Sequence, residues 1–306
     1  MTAPVPVQPD GLRCADAAEA AGDRLEGTAP PADHWFLVEH PGPWDRYILA
    51  GSGFDRAVAS TLDRWARVAN GRVLLVRRPG RTAPAVQRRW FRVDGRPGQE
   101  SVRTGLFTAD AELADAVADP AAGDGHDGRL ILVCTHGRHD TCCAVRGRPL
   151  ASAMAAALPE CTWESSHLGG CRFAAALVLL PHGVVLGGVP PADGPEIALR
   201  YAEGLLPEQG IRGRAALSPV VQAAQHHARV ETGAYGVDAL RPVDAVADGS
   251  GTWHIRFTDP AVTVVLRERR VDADRPLTCA AKAPGWMRVF DLLDVTLAAA
   301  PRVAAS

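Results

Sequence analysis

The sequence predicts an α/β protein in which strands and helices alternate along most of the chain. Short runs rich in β-branched and aromatic residues alternate with longer segments whose apolar residues recur at helical spacing. Clusters of Gly, Pro and Asp separate these segments, as turns between elements require. The chain has 306 residues, which is long enough for two domains with cores of their own.

The predicted first domain spans residues 1–125. Its opening, to about residue 30, is rich in Pro, Ala, Gly and Asp, and we expect it to be partly irregular. A strand with a turn, a helix, two strands and a second helix, capped by Thr108, are then predicted at 34–44, 55–69, 72–80, 88–94 and 108–120. The Gly/Asp-rich stretch 121–128 is the best candidate for a domain boundary.

The predicted second domain, 126–210, repeats the opening of the first, because "LVCTHGRHD" parallels "LVEHPGPWD". Its elements are a strand with a turn, a helix, a strand, a strand hairpin and a helix, predicted at 129–140, 147–160, 161–166, 174–189 and 194–206. The order βαβ, then ββ, then α is the thioredoxin-like arrangement. We therefore predict a thioredoxin-like domain preceded by a degenerate related domain, since only the second copy carries cysteines at its strand end.

The remaining segment, 211–306, is predicted to form a small α+β tail. A helix at 218–232 precedes strands at 252–259 and 262–271. This helix and β-meander are expected to form an appended lobe.

Charge and hydropathy exclude several classes of protein. The net charge of −2 indicates neither a nucleic-acid binder nor a protein of membrane surfaces. The N-terminus lacks the pattern of a signal peptide, and the longest apolar run, 173–181, is too short to span a bilayer. We therefore expect a cytoplasmic protein, in which clustered cysteines more often bind metal or carry out redox chemistry than form disulfides.

Five of the seven cysteines, together with three histidines, fall between residues 134 and 171. Cys134 ends a predicted strand, and Cys143 begins the following helix across a loop of eight residues. His167 and Cys171 are four residues apart, and the two glycines between them allow a tight turn and a close approach to a bulky group. Two ligands from each loop can therefore enclose a cofactor at the strand-end surface.

The spacing of these residues favours an iron–sulfur cluster over a zinc knuckle. Structural zinc sites usually pair ligands two to four residues apart, and Cys-x8-Cys is long for such a pair. Iron–sulfur clusters are held by thiolates, with histidine as an alternative ligand on one iron. The pattern Cys-x8-Cys followed by His-x3-Cys fits a [2Fe–2S] site with mixed ligation.

Several segments together resemble the sucrase/ferredoxin-like family. They are "GTAP", "VEHPGPW", "LVCTHGRHDTCCAVRGRPL", "SSHLGGCRFAAALVLLPHG" and "RPLTC". The resemblance runs from about residue 14 to about residue 290 and implies a thioredoxin-like [2Fe–2S] ferredoxin domain. Nothing in these residues supports the sucrase activity in the family's name.

The resemblance implies a particular set of cluster ligands. The family's motif C-T-H-G-x-R-D-x-x-C places its cysteines on Cys134 and Cys143. Its motif H-x-G-G-H places its histidines on His167 and on position 171, where this chain has Cys171 instead. The implied ligands are therefore three cysteines and one histidine: Cys134, Cys143, His167 and Cys171.

Alternatives to these ligands remain open from the sequence. Cys142 competes with its neighbour Cys143, and His136 is a substitute if Cys171 is not a ligand. His136 and His139 are otherwise expected to support the ligands or the first loop. The three remaining cysteines are expected to be structural: Cys14, Cys161 and Cys279.

These observations predict an electron carrier rather than an enzyme with a substrate of its own. Its cofactor would be a [2Fe–2S] cluster, and its partner a redox protein of unknown identity. Binding of nucleic acid or membrane is not expected. A structural zinc protein using the same ligands, or a thiol oxidoreductase on a thioredoxin-like fold, is the alternative.

Overall fold

The computed structural model describes residues 11–80 and 86–297, and the fold below concerns these residues. The predicted irregular N-terminus lies partly outside them, but helix α1 at Cys14–Ala20 follows within the first 30 residues. Within the described ranges, no helix combines the length and the apolar character that a bilayer crossing needs.

Most of the chain forms one mixed sheet of ten strands. Their order across the sheet is β10-β9-β8-β6-β7-β2-β1-β3-β4-β5. The strands are β1 His34–Glu39, β2 Gly71–Arg77, β3 Arg88–Asp94, β4 Ser101–Phe107, β5 Asp124–Gly125, β6 Leu130–Cys134, β7 Thr162–Ser165, β8 Leu177–Leu180, β9 Val184–Leu186 and β10 Ile211–Arg214.

Five helices accompany these strands after α1. They are α2 Ile48–Gly51, α3 Arg56–Val68, α4 Glu112–Ala118, α5 Thr141–Ala157 and α6 Gly194–Ala202. Asp55 caps α3 by accepting hydrogen bonds from the backbone N–H groups of Ala57 and Val58. Asp140 caps α5 in the same way, through the N–H of Cys142.

The ten-stranded sheet contains the same topology twice. If the short helix α2 is set aside, β1-α3-β2-β3-β4-α4-β5 and β6-α5-β7-β8-β9-α6-β10 have the same order of elements. In each half the first two strands are parallel, and the later strands are antiparallel to their neighbours. The halves join where β2 pairs antiparallel with β7. This repeat agrees with the similarity between the two strand ends in the sequence.

A separate four-stranded antiparallel sheet follows the large sheet. Helix α7, Pro219–Thr232, packs on the meander β11 Arg241–Ala247, β12 Thr252–Thr258, β13 Val262–Asp272 and β14 Trp286–Leu297. Their shared core includes Val264, Leu266 and Phe290. The small α+β tail expected from the sequence is thus present.

The structure corrects several element boundaries. Helix α5 begins at Thr141 rather than at 147, because the Asp140 cap lies earlier than the apolar pattern indicates. Helix α4 begins at Glu112, and the Thr108 hydroxyl donates a hydrogen bond to the Glu112 carboxylate rather than capping the helix directly. Strands β4, β5, β10, β11 and β14 are additional to the predicted elements.

Strand β10 bears on the predicted division into domains. The predicted C-terminal region includes residues 211–214, yet these residues pair with β9 in the large sheet. One continuous sheet also spans both predicted N-terminal domains. The division at 125 and 210 stays a prediction, since a shared sheet does not define independent folding units.

Candidate metal centre

The carboxyl ends of two parallel strands bring the predicted ligands together. Cys134 is the last residue of β6 and lies opposite Ser165, the last residue of β7. His167 therefore follows only two residues beyond the same sheet edge. Cys143, in the first turn of α5, and Cys171, in a single turn of 3₁₀ helix, complete the group.

We call Cys134, Cys143, His167 and Cys171 the strand-end centre. The Nδ1 atom of His167 lies 3.7 Å from the Sγ atom of Cys171 and 4.0 Å from that of Cys143. The ligand atoms of Cys134, Cys143 and His167 all lie within 4.8 Å of one another. The three cysteines are buried and His167 is half-buried. The structure thus assembles the four residues that the sequence singled out.

Glycines allow the two loops to approach this closely. A Cβ atom at Gly147 would lie 2.0 Å from the carbonyl oxygen of Cys134, so only glycine lets α5 pack on the end of β6. Gly169 and Gly170 have φ angles of 97° and 74°, in the region that favours glycine. They turn the chain between His167 and Cys171, as the sequence predicted.

Two arginines outside the ligand motifs hold the second loop. The guanidinium of Arg72 donates to the carbonyl oxygens of His167 and Leu168, at 3.0 and 2.6 Å. The buried Arg212 donates to the carbonyl oxygen of Gly169 at 2.8 Å and also to Thr28. Burial lowers the pKa of Arg72 to about 10 and that of Arg212 to about 9. Both groups remain cationic at neutral pH and place positive charge beside the thiols.

The thiols and the imidazole form one network of shared protons. Hydrogen bonds from Cys143 hold the pKa of Cys134 well below its usual range and lower that of Cys171 to about 3. The same bonds raise the pKa of Cys143. Burial alone would lower the pKa of His167, but hydrogen bonds to Cys134 and Cys171 outweigh it and raise this pKa to about 9. The site therefore stabilises thiolates, the form of cysteine that binds metals.

His139 is a further donor that the sequence assigned only a supporting role. Its ring stacks on that of His167, with 3.7 Å between the ring centroids and an interplanar angle of 15°. Its ligand atom also lies within 4.8 Å of those of His167 and Cys171. His136, in contrast, belongs to no group of three or more potential metal ligands among the described residues.

The vicinal cysteines face different groups. Cys143 belongs to the strand-end centre, whereas Cys142 contacts the thiols of Cys14 and Cys279. The sequence does not reveal this second group, because its members are far apart along the chain. Only Asp140 and Cys142 are neighbours, and the contacts to Cys14 and Cys279 span more than 120 residues. Cys161 is half-buried and lies outside both groups.

The donor chemistry of the strand-end centre fits a thiophilic metal or cluster. Three buried sulfurs and one imidazole nitrogen are the ligand types of both zinc sites and iron–sulfur clusters. Fold and donors together define an α/β protein with a buried cysteine/histidine centre at a strand end.

Comparison with known proteins gives the family. A family model described as sucrase/ferredoxin-like matches residues 25–213, and the chain belongs to this family. Searches of the curated proteins and of the solved structures give no significant match. The matched range contains all four residues of the strand-end centre.

Proposed function

We propose that this protein binds a [2Fe–2S] cluster at the strand-end centre and carries single electrons. The observation that carries the proposal is the convergence of four predicted ligands from two separate loops around His167, whose donor atoms lie close to those of all three cysteines. Their sulfur and imidazole donors suit iron, and the family description includes ferredoxin-like proteins.

Each iron of the cluster would take two protein ligands. The sulfur atoms of Cys134 and Cys143 lie within 4.8 Å of each other and would hold one iron. His167 and Cys171, whose donor atoms lie 3.7 Å apart, would hold the other. When bound, the cluster supplies reversible one-electron redox chemistry, with a potential that depends on ligand type, charge and hydrogen bonds.

The surroundings of the centre suit a redox role. The cationic side chains of Arg72 and Arg212 offset part of the thiolate charge and would raise the reduction potential. The half-buried rings of His139 and His167 are the parts of the centre nearest to solvent. A redox partner protein would dock over these two rings.

The element order of each half supports a thioredoxin-like fold for the cluster-binding half. Its β6-α5-β7-β8-β9-α6 segment has the order βαβ-ββ-α. The first half, which has the same order without cysteines at its strand end, would then be a degenerate copy.

Structural zinc is the second candidate, and the distances within the group favour it. Spacings of 3.7 and 4.0 Å between donor atoms also suit ligands of one tetrahedral ion.

A thiol oxidoreductase is disfavoured, because the three cysteines of the centre are buried and reactive thiols need access.

An absorption spectrum of anaerobically purified protein tests the proposal. We expect a red-brown protein whose visible bands bleach with dithionite and return on reoxidation. His167→Cys should shift the bands while Cys161→Ser leaves them unchanged. A colourless protein that stays colourless after anaerobic reconstitution with iron and sulfide would overturn the proposal.

A further inference from the structure

We propose that Cys14, Asp140, Cys142 and Cys279 form a second metal site, which binds one structural Zn²⁺ ion. We call these four residues the clamp site. Their ligand atoms lie within 4.8 Å of one another and all four residues are buried. Cys14 and Cys279 lie outside the range 25–213 that the family model matches, whereas Asp140 and Cys142 lie within it.

The three sulfurs have the spacing that a single ion requires. The Sγ–Sγ distances are 3.6 Å from Cys14 to Cys142, 3.5 Å from Cys142 to Cys279 and 3.4 Å from Cys279 to Cys14. Thiolates bound to tetrahedral Zn²⁺ at about 2.3 Å lie about 3.8 Å from one another. The observed triangle needs to open by only a few tenths of an ångström to accept the ion.

Asp140 supplies the fourth ligand in an orientation that is already fixed. Both of its carboxylate oxygens lie 3.7 Å from the Sγ atom of Cys14. One oxygen accepts the backbone N–H of Cys142 and the other that of Cys279, each at 2.9 Å. Each oxygen keeps a lone pair for a metal, and such hydrogen bonds hold a ligating carboxylate in place.

The arrangement selects a single thiophilic ion rather than a cluster. In a [2Fe–2S] cluster no iron takes more than two protein ligands, whereas all three sulfurs here are in mutual contact. Thiolates and carboxylate oxygens are both zinc ligands, and four buried protein ligands complete the tetrahedral coordination of a structural site.

A zinc ion at this site would join three distant segments. Cys14 begins α1, Cys142 lies in the first turn of α5, and Cys279 lies in the loop 273–285 between β13 and β14. The backbone N–H of Ala273 donates to the carbonyl oxygen of Gly285, and the N–H of Gly285 donates to that of Arg275, so these bonds close the neck of this loop. The ion would thus fasten the C-terminal lobe and the N-terminal helix to the helix that carries Cys143.

A second contact attaches the same loop beside the site. Arg275 pairs with Asp23, which follows α1, and Arg172 pairs with the other oxygen of that carboxylate at 3.1 Å. The loop therefore reaches the site independently of the thiols. The ion would bind to a largely preformed site.

Elemental analysis of the anaerobically purified full chain tests the site. We expect about one zinc per chain, counted separately from iron. Cys14→Ser and Cys279→Ser should each lose this zinc while the iron content stays at the wild-type value. Cys161→Ser, a substitution outside both groups, should keep both metals.

Three outcomes would overturn the proposal. They are a wild-type protein without zinc even after incubation with ZnCl₂, a zinc content unchanged by Cys279→Ser, and zinc that is lost in Cys134→Ser but kept in Cys14→Ser. The last outcome would place the zinc in the strand-end centre. None of the three outcomes depends on the iron content, so they distinguish failure of the clamp site from failure of the cluster proposal.

A measurement on the wild-type protein covers the case in which the serine variants do not fold. Iodoacetamide labelling followed by mass spectrometry should find Cys14, Cys142 and Cys279 protected until a zinc chelator is added, and then modified together as zinc is released. Labelling that does not respond to the chelator would contradict the site.

Discussion

At the scale of single residues, the two adjacent cysteines at the start of α5 belong to different groups of ligands. Successive residues of a helix point in directions about 100° apart, so Cys142 and Cys143 diverge. Cys143 contacts His167, and Cys142 contacts Cys14 and Cys279. One pair of adjacent residues thereby serves two separate groups of ligands.

This divergence predicts opposite metal losses in two neighbouring variants. Cys143→Ser should lose iron and keep zinc, because it removes a ligand of the strand-end centre only. Cys142→Ser should lose zinc and keep iron. Iron and zinc contents of the two purified variants check this prediction, and a loss of both metals from both variants would contradict it.

Arg212 lies outside the ligand motifs, and its loss should still cost considerable stability. Its buried guanidinium donates to Gly169 and Thr28, and removal leaves their carbonyl oxygens without a charged donor. Arg212→Ala should lower the free energy of unfolding by about 3 kcal/mol in urea. The exposed Arg64 offers a control, and Arg64→Ala should change this free energy by less than about 0.5 kcal/mol. Equal effects of the two substitutions would be incompatible with this role.

Residue spacing made the strand-end centre predictable and left the clamp site hidden. Cys134, Cys143, His167 and Cys171 lie within 38 consecutive residues, and their spacing indicates ligation. Cys14 and Cys279 lie 265 residues apart, and nothing near either in the sequence points to the other. Only the folded chain brings them together. The position of His139 beside Cys171 was equally inaccessible, because it depends on the path of the loop after β6.

At the scale of elements, the packing of α5 on β6 controls the distance between Cys134 and Cys143. Gly147 lies where the helix passes the strand end, and no side chain fits there. The sequence predicted this helix from its apolar pattern but placed its start six residues late. The cap at Asp140 and the first turn, with the sequence TCCA, carry no such pattern.

Gly147→Ala should destabilise the protein although alanine is the better helix former. The gain in helix propensity is about 1 kcal/mol, whereas a Cβ 2.0 Å from the Cys134 carbonyl oxygen forces the helix outwards. We expect a net loss of about 2 kcal/mol in the free energy of unfolding and a lower iron content. At Gly125, in strand β5, an added Cβ meets nothing within 4 Å, so Gly125→Ala is a control for glycine replacement without a steric clash. A stabilised Gly147→Ala protein would contradict the close packing.

The sequence pattern does not predict the strands that form only through pairing in the folded protein. Strand β10 has the sequence IRGR, and its arginines are buried only because Thr28, Gly169 and Glu100 accept their hydrogen bonds. Strand β11 is exposed along most of its length and shows little alternation. Buried runs such as β6 and β8 were predicted correctly, because continuous apolar residues carry their own signal.

At the scale of the whole molecule, contacts join the two halves of the sheet away from the central β2–β7 pairing. Arg214 at the end of β10 pairs with Glu100 in the connection between β3 and β4. Both side chains are largely buried, at 7% and 14% exposure. This ion pair links the second half of the large sheet to the first.

The Glu100–Arg214 pair predicts an acid-sensitive part of the stability. Burial alone would raise the pKa of Glu100, but hydrogen bonds from the backbone and from Arg214 together lower it below the ordinary 4.5. A carboxyl whose pKa is lower in the folded state contributes stability above about pH 4.5, and this contribution is lost as the pH falls through the folded pKa.

Glu100→Gln should therefore destabilise the protein at pH 7 by about 2 kcal/mol, with a smaller difference from wild type at pH 3. Urea unfolding at both pH values measures this change. Glu231→Gln, at an exposed position, should match wild type throughout. A difference between Glu100→Gln and wild type that is the same at both pH values would contradict the assigned role.

The central claim is that the strand-end centre holds a [2Fe–2S] cluster, and its most direct test is an inventory of iron, acid-labile sulfide and zinc. Wild-type protein purified without oxygen should contain about two irons and two sulfides per chain. Cys134→Ala should lose both while the zinc of the clamp site remains. Wild-type protein without iron or sulfide, whose zinc disappears in Cys134→Ala, would contradict the account and make the strand-end centre a structural zinc site.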